Sequence, residues 1–235
     1  MLTLTDLLFP RRCPVCDRPV KPAGGLICAE CKAGLKYVRQ PFCMKCGRQL
    51  TDDGQEYCAD CAHKKHVYDR GISLYQYKSV QTTIYRFKYG GRREYARFLG
   101  GEMAARLGRQ ILAWKPDALI PVPLHETRLQ KRGYNQAGLL AEEMGRSLKI
   151  PALHDWIARE KNTAPLKLLG AAERQNNLKK AFKIKRDDVK LSTIVIIDDI
   201  YTTGSTVDEI AAECRKKGVR AVYFAALSAG SGPPR

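Results

Sequence analysis

Four CxxC pairs crowd the start of the chain: "CPVC" at 13–16, "CAEC" at 28–31, "CMKC" at 43–46 and "CADC" at 58–61. Successive pairs begin 15 residues apart, so a two-pair unit repeats every 30 residues. A CxxC turn holds two thiolates on one tight loop, which is half of a tetrahedral zinc site. Cys13, Cys16, Cys28, Cys31, Cys43, Cys46, Cys58 and Cys61 therefore supply two four-cysteine sets for two Zn²⁺. A disulfide framework is the competing use, and four evenly spaced CxxC pairs without a visible export signal argue against it. The 11-residue gap within each unit lets a hairpin join its own ends, so sequential pairing is expected, with interleaved pairing as the alternative. Roughly 60 residues split into two such units bury little core, so metal must supply folding energy. His63 and His66 follow the filled ligand sets and are expected to be solvent-facing linker residues.

The pattern changes near residue 70, which divides the chain into a double zinc ribbon (1–66) and a second domain (67–235). "GISLYQY" (71–77) reads as a strand. A short helix follows, then a glycine break and a longer helix on which Phe98, Met103, Leu107 and Ile111 recur at helical spacing. "DALIPVP" (117–123) reads as a buried strand, 134–149 as a helix and "ALHDWIAR" as a strand. Residues 161–182 are polar and basic, a candidate mobile loop with a helical piece near 170–179. Strand 193–198, helix 206–217 and strand 219–227 complete the order. Strands alternating with helices imply an α/β fold with a parallel sheet and helices on both faces.

In such a sheet, ligands bind beyond the carboxyl ends of the strands. "VIIDDIYTTGST" (195–206) runs a hydrophobic strand into Asp198 and Asp199, then into a turn rich in hydroxyls. The helix after it is expected to begin with a capping box of Thr206 and Glu209, to bury Cys214 and to stop at Gly218. Free N–H groups at a helix start, a flexible Gly204 and the hydroxyls of Thr202, Thr203, Ser205 and Thr206 suit a phosphate monoester. Two carboxylates would repel that phosphate unless they face a vicinal diol or Mg²⁺. A sugar phosphate satisfies both, with the acids at a strand end and outside the core. "PVPLHETRLQKRGYNQA" (121–137) follows another strand end, and its His125, Arg128, Lys131 and Arg132 can neutralise a pyrophosphate.

Net charge is +17, and residues 71–140 carry +8 of it, 12 cationic against 4 acidic side chains. Polyanions are natural partners for such a surface. There "YQYKSVQTTIYRFKYGGRREY" alternates rings with cations. Phe87 and Tyr89 could stack on bases while Lys88, Arg92 and Arg93 meet phosphates, the elements of a single-strand platform. No stretch approaches 18 apolar residues, so no transmembrane segment is expected. The start "MLTLTDLLFPRRC" has its basic pair after the apolar part, the wrong polarity for a secretory signal.

"VIIDDIYTTGST" resembles the phosphoribosyl pyrophosphate signature of type I phosphoribosyltransferases. Together with "IPVPLHETRLQKRGYNQA", "FKYGGRREYARFLG" and the CxxC repeat, it resembles the ComF competence family over nearly the whole chain. The resemblance implies a cytoplasmic bacterial protein, able to sit at the inner face of the membrane, that serves DNA uptake in natural transformation. It implies ribose hydroxyls on Asp198 and Asp199, the 5′-phosphate on residues 202–206, and pyrophosphate beside Arg128 and Arg132, with Mg²⁺ accompanying the ligand. In the 159–182 stretch, Thr163, Arg174 and Asn177 match the family, whereas Leu166 stands where it often has Gln. Three functions are compatible with these residues. One is handling of single-stranded DNA with the sugar-phosphate site as sensor or grip. Another is phosphoribosyl transfer to an unidentified acceptor, and the third is a zinc adaptor that docks a DNA-uptake helicase.

Overall fold

The structure, a computed structural model, describes residues 10–160, 181–186 and 188–230. The matches at Thr163, Leu166, Arg174 and Asn177, and the helical piece near 170–179, lie outside the described residues.

The fold is α/β with a parallel sheet, as expected. Four strands, β1 (Arg70–Gln76), β2 (Ala118–Pro121), β5 (Thr193–Tyr201) and β6 (Ala221–Ala229), form one sheet in the order β1-β6-β5-β2, with every pairing parallel. The central strand reads Ile-Val-Ile-Ile because both of its faces are covered. Ile194 and Ile196 join one apolar cluster, and Val195 and Ile197 join the other. On the second face lie α3 (Tyr77–Tyr89), α4 (Tyr95–Ala113) and α6 (Gln136–Leu148). Helix α6 buries Ala137, Leu140, Ala141 and Met144, the stripe its sequence announces.

The first face departs from expectation. Among the described residues one helix, α7 (Ser205–Lys216), lies there, burying Val207, Ile210, Ala211 and Cys214. The rest of that face is covered by the second cysteine unit, through Cys43, Cys46, Leu50 and Cys58, and by a small antiparallel pair. That pair joins β3 (Ile157–Arg159) to β4 (Phe182–Ile184), so the end of the "ALHDWIAR" stretch belongs to a separate sheet, while Ala152 at its start makes a parallel bridge with Leu119 of β2. Short helices complete the elements among the described residues: α1 (Ala29–Ala33), α2 (Ala59–His63) and α5 (Glu126–Arg132).

The two ribbons therefore pack on opposite faces of one sheet. The first contributes Leu35 and the partly buried Val15, Leu26 and Ile27 to the cluster under α3 and α4. The knuckle of the second presses on β1 at Gly47, whose φ is +69°. A Cβ there would lie 2.6 Å from the Gly71 carbonyl oxygen and 2.6 Å from Ile72 Cα, so no side chain fits. Among the described residues no helix is long and apolar enough to cross a membrane.

Candidate functional site

The cysteines form two sets, Cys13, Cys16, Cys28 and Cys31, and Cys43, Cys46, Cys58 and Cys61, with the sulfurs of each set within 4.8 Å of one another. Pairing is sequential. A tetrahedron with zinc–sulfur bonds of about 2.3 Å has sulfur–sulfur edges of about 3.8 Å. Cys46 Sγ and Cys58 Sγ stand 3.8 Å apart, so the second set matches this edge. Both sets fit Zn²⁺ by donor type, number and spacing.

At the carboxyl edge, β5 outruns its neighbour. Its pairing with β2 ends at Ile197, whereas its pairing with β6 continues to Tyr201. Asp198 and Asp199 thus lie within β5, four and three positions before the loop, where among the described residues no strand pairs with the edge that β2 leaves. The expectation that both acids sit outside the core needs correction for Asp199. It is 7% exposed, because Lys88 Nζ from α3 meets its Oδ2 at 2.8 Å. Asp198 accepts a hydrogen bond from the Asp199 backbone N–H at 2.8 Å. Burial, and then the neighbouring Asp199 carboxylate, push the Asp198 carboxyl up to about 7, against the opposing pull of Lys88.

The turn after β5 is made possible by Gly204, at φ +76° and ψ −4°. Helix α7 begins at Ser205, and its first backbone bond runs from Asp208 N–H to the Gly204 carbonyl. No side chain caps it, so the expected box of Thr206 and Glu209 does not form: the left-handed glycine starts the helix one residue earlier. The N–H groups of residues 205–207 precede that first bond. Thr203 Oγ1 and Ser205 Oγ are 3.0 Å apart. Asp198 and residues 200–207 line a cavity of about 20 Å³, room for one small polar group.

Around this turn the structure gathers residues to which the sequence assigned no part. Arg48 donates from Nη2 to the Thr202 carbonyl and from Nη1 to Asp60 Oδ2 at 3.0 Å. Lys64 donates to the Thr203 carbonyl at 3.4 Å. His66 is not solvent-facing: its side chain is fully buried, stacked on Tyr68 and 2.8 Å from Asp208 Oδ2. His63 is exposed, as expected. Arg159, on β3, lies in the field of Arg128 and Asp198. Burial first, and then the Arg128 charge, hold its guanidinium down at about 10, while Asp198 opposes them.

The second loop is used differently from expectation. His125 caps α5, its Nδ1 accepting from the Thr127 N–H at 3.3 Å. Arg132 donates to Gln136 Oε1, and its guanidinium lies 5.1 Å from the centre of the Tyr89 ring. Of the two arginines, Arg128 is the one whose charge reaches Arg159, which also feels Asp198.

The ring–cation platform is dismantled in part. Phe87 has no exposed surface, because on α3 it falls on the face of Val80, Thr83 and Ile84, so it has no face to offer a base. Tyr75 and Tyr95 are buried too. Lys88 is bound to Asp199, and Arg92 to Asp17, with Nε–Oδ1 at 2.9 Å. Arg93 is exposed. Tyr85 and Tyr89, each 62% exposed, face one another with ring centres 5.2 Å apart. They line a hollow of about 220 Å³ with Lys88 and Ile200, and Ile200 also lines the cavity at the turn.

A family model described as "Double zinc ribbon domain" matches residues 4–62. "Competence protein F" of Haemophilus influenzae is 33% identical over 228 residues, 94% of this chain and 97% of that protein. "DNA utilization protein YhgH" of Escherichia coli K12 is 30% identical, over 92% of this chain and 96% of its own length. "Competence protein ComFC" of Bacillus subtilis is 30% identical over 80% and 77%. Among solved structures, the purine phosphoribosyltransferase of Pyrococcus horikoshii Ot3 matches with TM-score 0.30 and 17% identity, over 60% of this chain and 88% of that one.

Proposed function

The chain belongs to the ComF competence family, and from that premise we propose that it handles single-stranded DNA during DNA uptake and carries a phosphoribosyl pyrophosphate site at the carboxyl edge of its sheet. One observation carries the reading. Strand β5 runs past β2, which brings Asp198, the Gly204 turn and the start of α7 to the carboxyl edge, and Arg159 there feels the charges of both Asp198 and Arg128.

Each group has a part to play there. The N–H groups of residues 205–207 and the Thr203 and Ser205 hydroxyls take the 5′-phosphate, and Gly204 leaves the backbone uncovered beside it. With the phosphate at this turn, the ribose lies across the strand ends. Asp198, in its ionised form, accepts from the ribose hydroxyls. Arg128 and Arg159 neutralise the pyrophosphate. Mg²⁺ bound with the pyrophosphate would offset its charge. Asp199 is committed to Lys88 and Asp198 is held near neutrality, so the pair alone makes a poor metal seat.

The Tyr85–Tyr89 hollow adjoins this edge through Ile200 and offers rings on which a base of single-stranded DNA can stack. The same hollow favours a second reading, phosphoribosyl transfer to a planar acceptor, which release of pyrophosphate would distinguish. DNA handling is tested by titrating single-stranded DNA at several salt concentrations. Affinity should fall on a log–log plot with a slope of about 0.7 per phosphate contact. Tyr89→Ala should weaken binding by about 1–3 kcal/mol with that slope unchanged. Salt-independent binding, or wild-type affinity in Tyr89→Ala, would remove the tyrosine hollow from the DNA path.

A further inference from the structure

The second ribbon does more than cover a sheet face. Arg48 rides on its first CxxC turn, directly after Cys46 and Gly47, and Asp60 lies between Cys58 and Cys61 on its second. The two meet at 3.0 Å, and the other arm of the Arg48 guanidinium reaches the Thr202 carbonyl. Lys64, just past the last cysteine, bridges the Thr203 carbonyl and Asp208 Oδ2, the latter at 3.2 Å. His66 and the Val67 N–H each hold an Asp208 oxygen at 2.8 Å. Asp208 is the acid of the first turn of α7.

The first ribbon is tied elsewhere. Its Asp17 accepts from Tyr95 at 2.6 Å and from Arg92 at 3.0 Å, and Arg86 donates to the Val15 carbonyl at 2.9 Å. These contacts lie on the opposite face of the sheet, beneath α3 and α4.

Four thiolates converging on one ion are what bring the two CxxC turns, and with them Arg48 and Asp60, together. Without the ion the turns part and the charged donor leaves the Thr202 carbonyl. Lys64 and His66 lose their placement as well. Asp208 is then an uncompensated carboxylate one turn behind an anion seat at a helix N-terminus, where it repels an incoming phosphate. We propose that the second zinc site regulates the phosphate loop: metal at Cys43, Cys46, Cys58 and Cys61 sets its anion affinity through Arg48, Lys64 and His66, and metal at the first site does not. The inference rests on the reading of residues 202–207 as the phosphate seat.

Three variants of the full chain test it by zinc analysis, phosphoribosyl pyrophosphate calorimetry and hydrogen exchange. Arg48→Lys keeps every thiolate but lacks the fork that reaches two acceptors. It should retain both zinc ions and bind about tenfold more weakly, the loss of one charge-assisted contact. Cys61→Ser should lose the second zinc and at least as much affinity. Cys16→Ser should lose the first zinc and stay within about twofold of wild type, as expected for an uncoupled site. Amides 203–208 should exchange faster in Arg48→Lys and Cys61→Ser, with α6 unchanged. Wild-type affinity and exchange in Arg48→Lys, or an equal loss in Cys16→Ser, would overturn the coupling. Should the wild-type protein not bind the ligand, the phosphate-seat reading fails. The exchange data then decide the coupling alone, and unchanged protection at 203–208 in Cys61→Ser refutes it.

Discussion

Replacing Asp198 by Asn should stabilise the protein, and more so at alkaline than at mildly acidic pH. In the folded chain its carboxyl is raised from 3.8 to about 7, by burial and then by the Asp199 carboxylate. The unfolded chain releases this proton near pH 3.8, whereas the folded chain keeps it until about 7. Across that window the folded state binds more protons, so this group's contribution to stability falls as pH rises, then levels off. Between about pH 5.5 and 8 the change spans about 1.5 units at 1.36 kcal/mol each, or about 2 kcal/mol. Asp198 is only partly buried, and solvent screening reduces the expected figure to about 1 kcal/mol. Asn keeps the shape and cannot ionise. Urea unfolding of both proteins, run at the two pH values with zinc present, measures the difference. The advantage of Asp198→Asn should grow by about 1 kcal/mol from the lower to the higher pH. A variant equal to or less stable than wild type at the higher pH, with no trend between the two, would refute the account of two crowded acids.

Phe87→Ala should cost about 3–5 kcal/mol of stability, seen as a lowered melting temperature, because a fully buried ring leaves a cavity beneath α3. Equal melting temperatures would contradict its place in the core. Gly204→Ala should abolish sugar-phosphate binding and cost at least about 1–2 kcal/mol, since an L-residue is strained at its positive φ. The new Cβ would also stand 2.8 Å from Tyr201 Oη and 2.9 Å from the His66 ring. Calorimetry and thermal unfolding report the two effects separately.

Features encoded locally were legible in the sequence. The CxxC spacing yields both metal sets and their pairing, and the run from Ile194 to Ser205 yields strand, acids, turn and helix in order. Where neighbours in space are distant in the chain, sequence reading failed. Arg48 meets Thr202 across 154 positions and His66 meets Asp208 across 142, and nothing near either residue signals its partner. Arg159 looks like any surface arginine until β3 pairs with β4 and turns it toward Arg128 and Asp198. Phe87 departs from expectation for a different reason. The alternation "YRFKY" suggests a two-sided surface, but on a helix Val80, Ile84 and Phe87 fall together, and that period was readable. The capping box failed because Gly204, in the left-handed region, starts α7 before Thr206 can cap it.

The most direct test of the central claim is calorimetric titration of the wild-type, zinc-loaded protein with phosphoribosyl pyrophosphate in the presence of Mg²⁺. The account predicts saturable binding of one ligand per chain, absent when Asp198 and Asp199 are both replaced by Ala in a protein that still carries its zinc. Heats equal to those of dilution for the wild type, or an unchanged isotherm in the double variant, would contradict it.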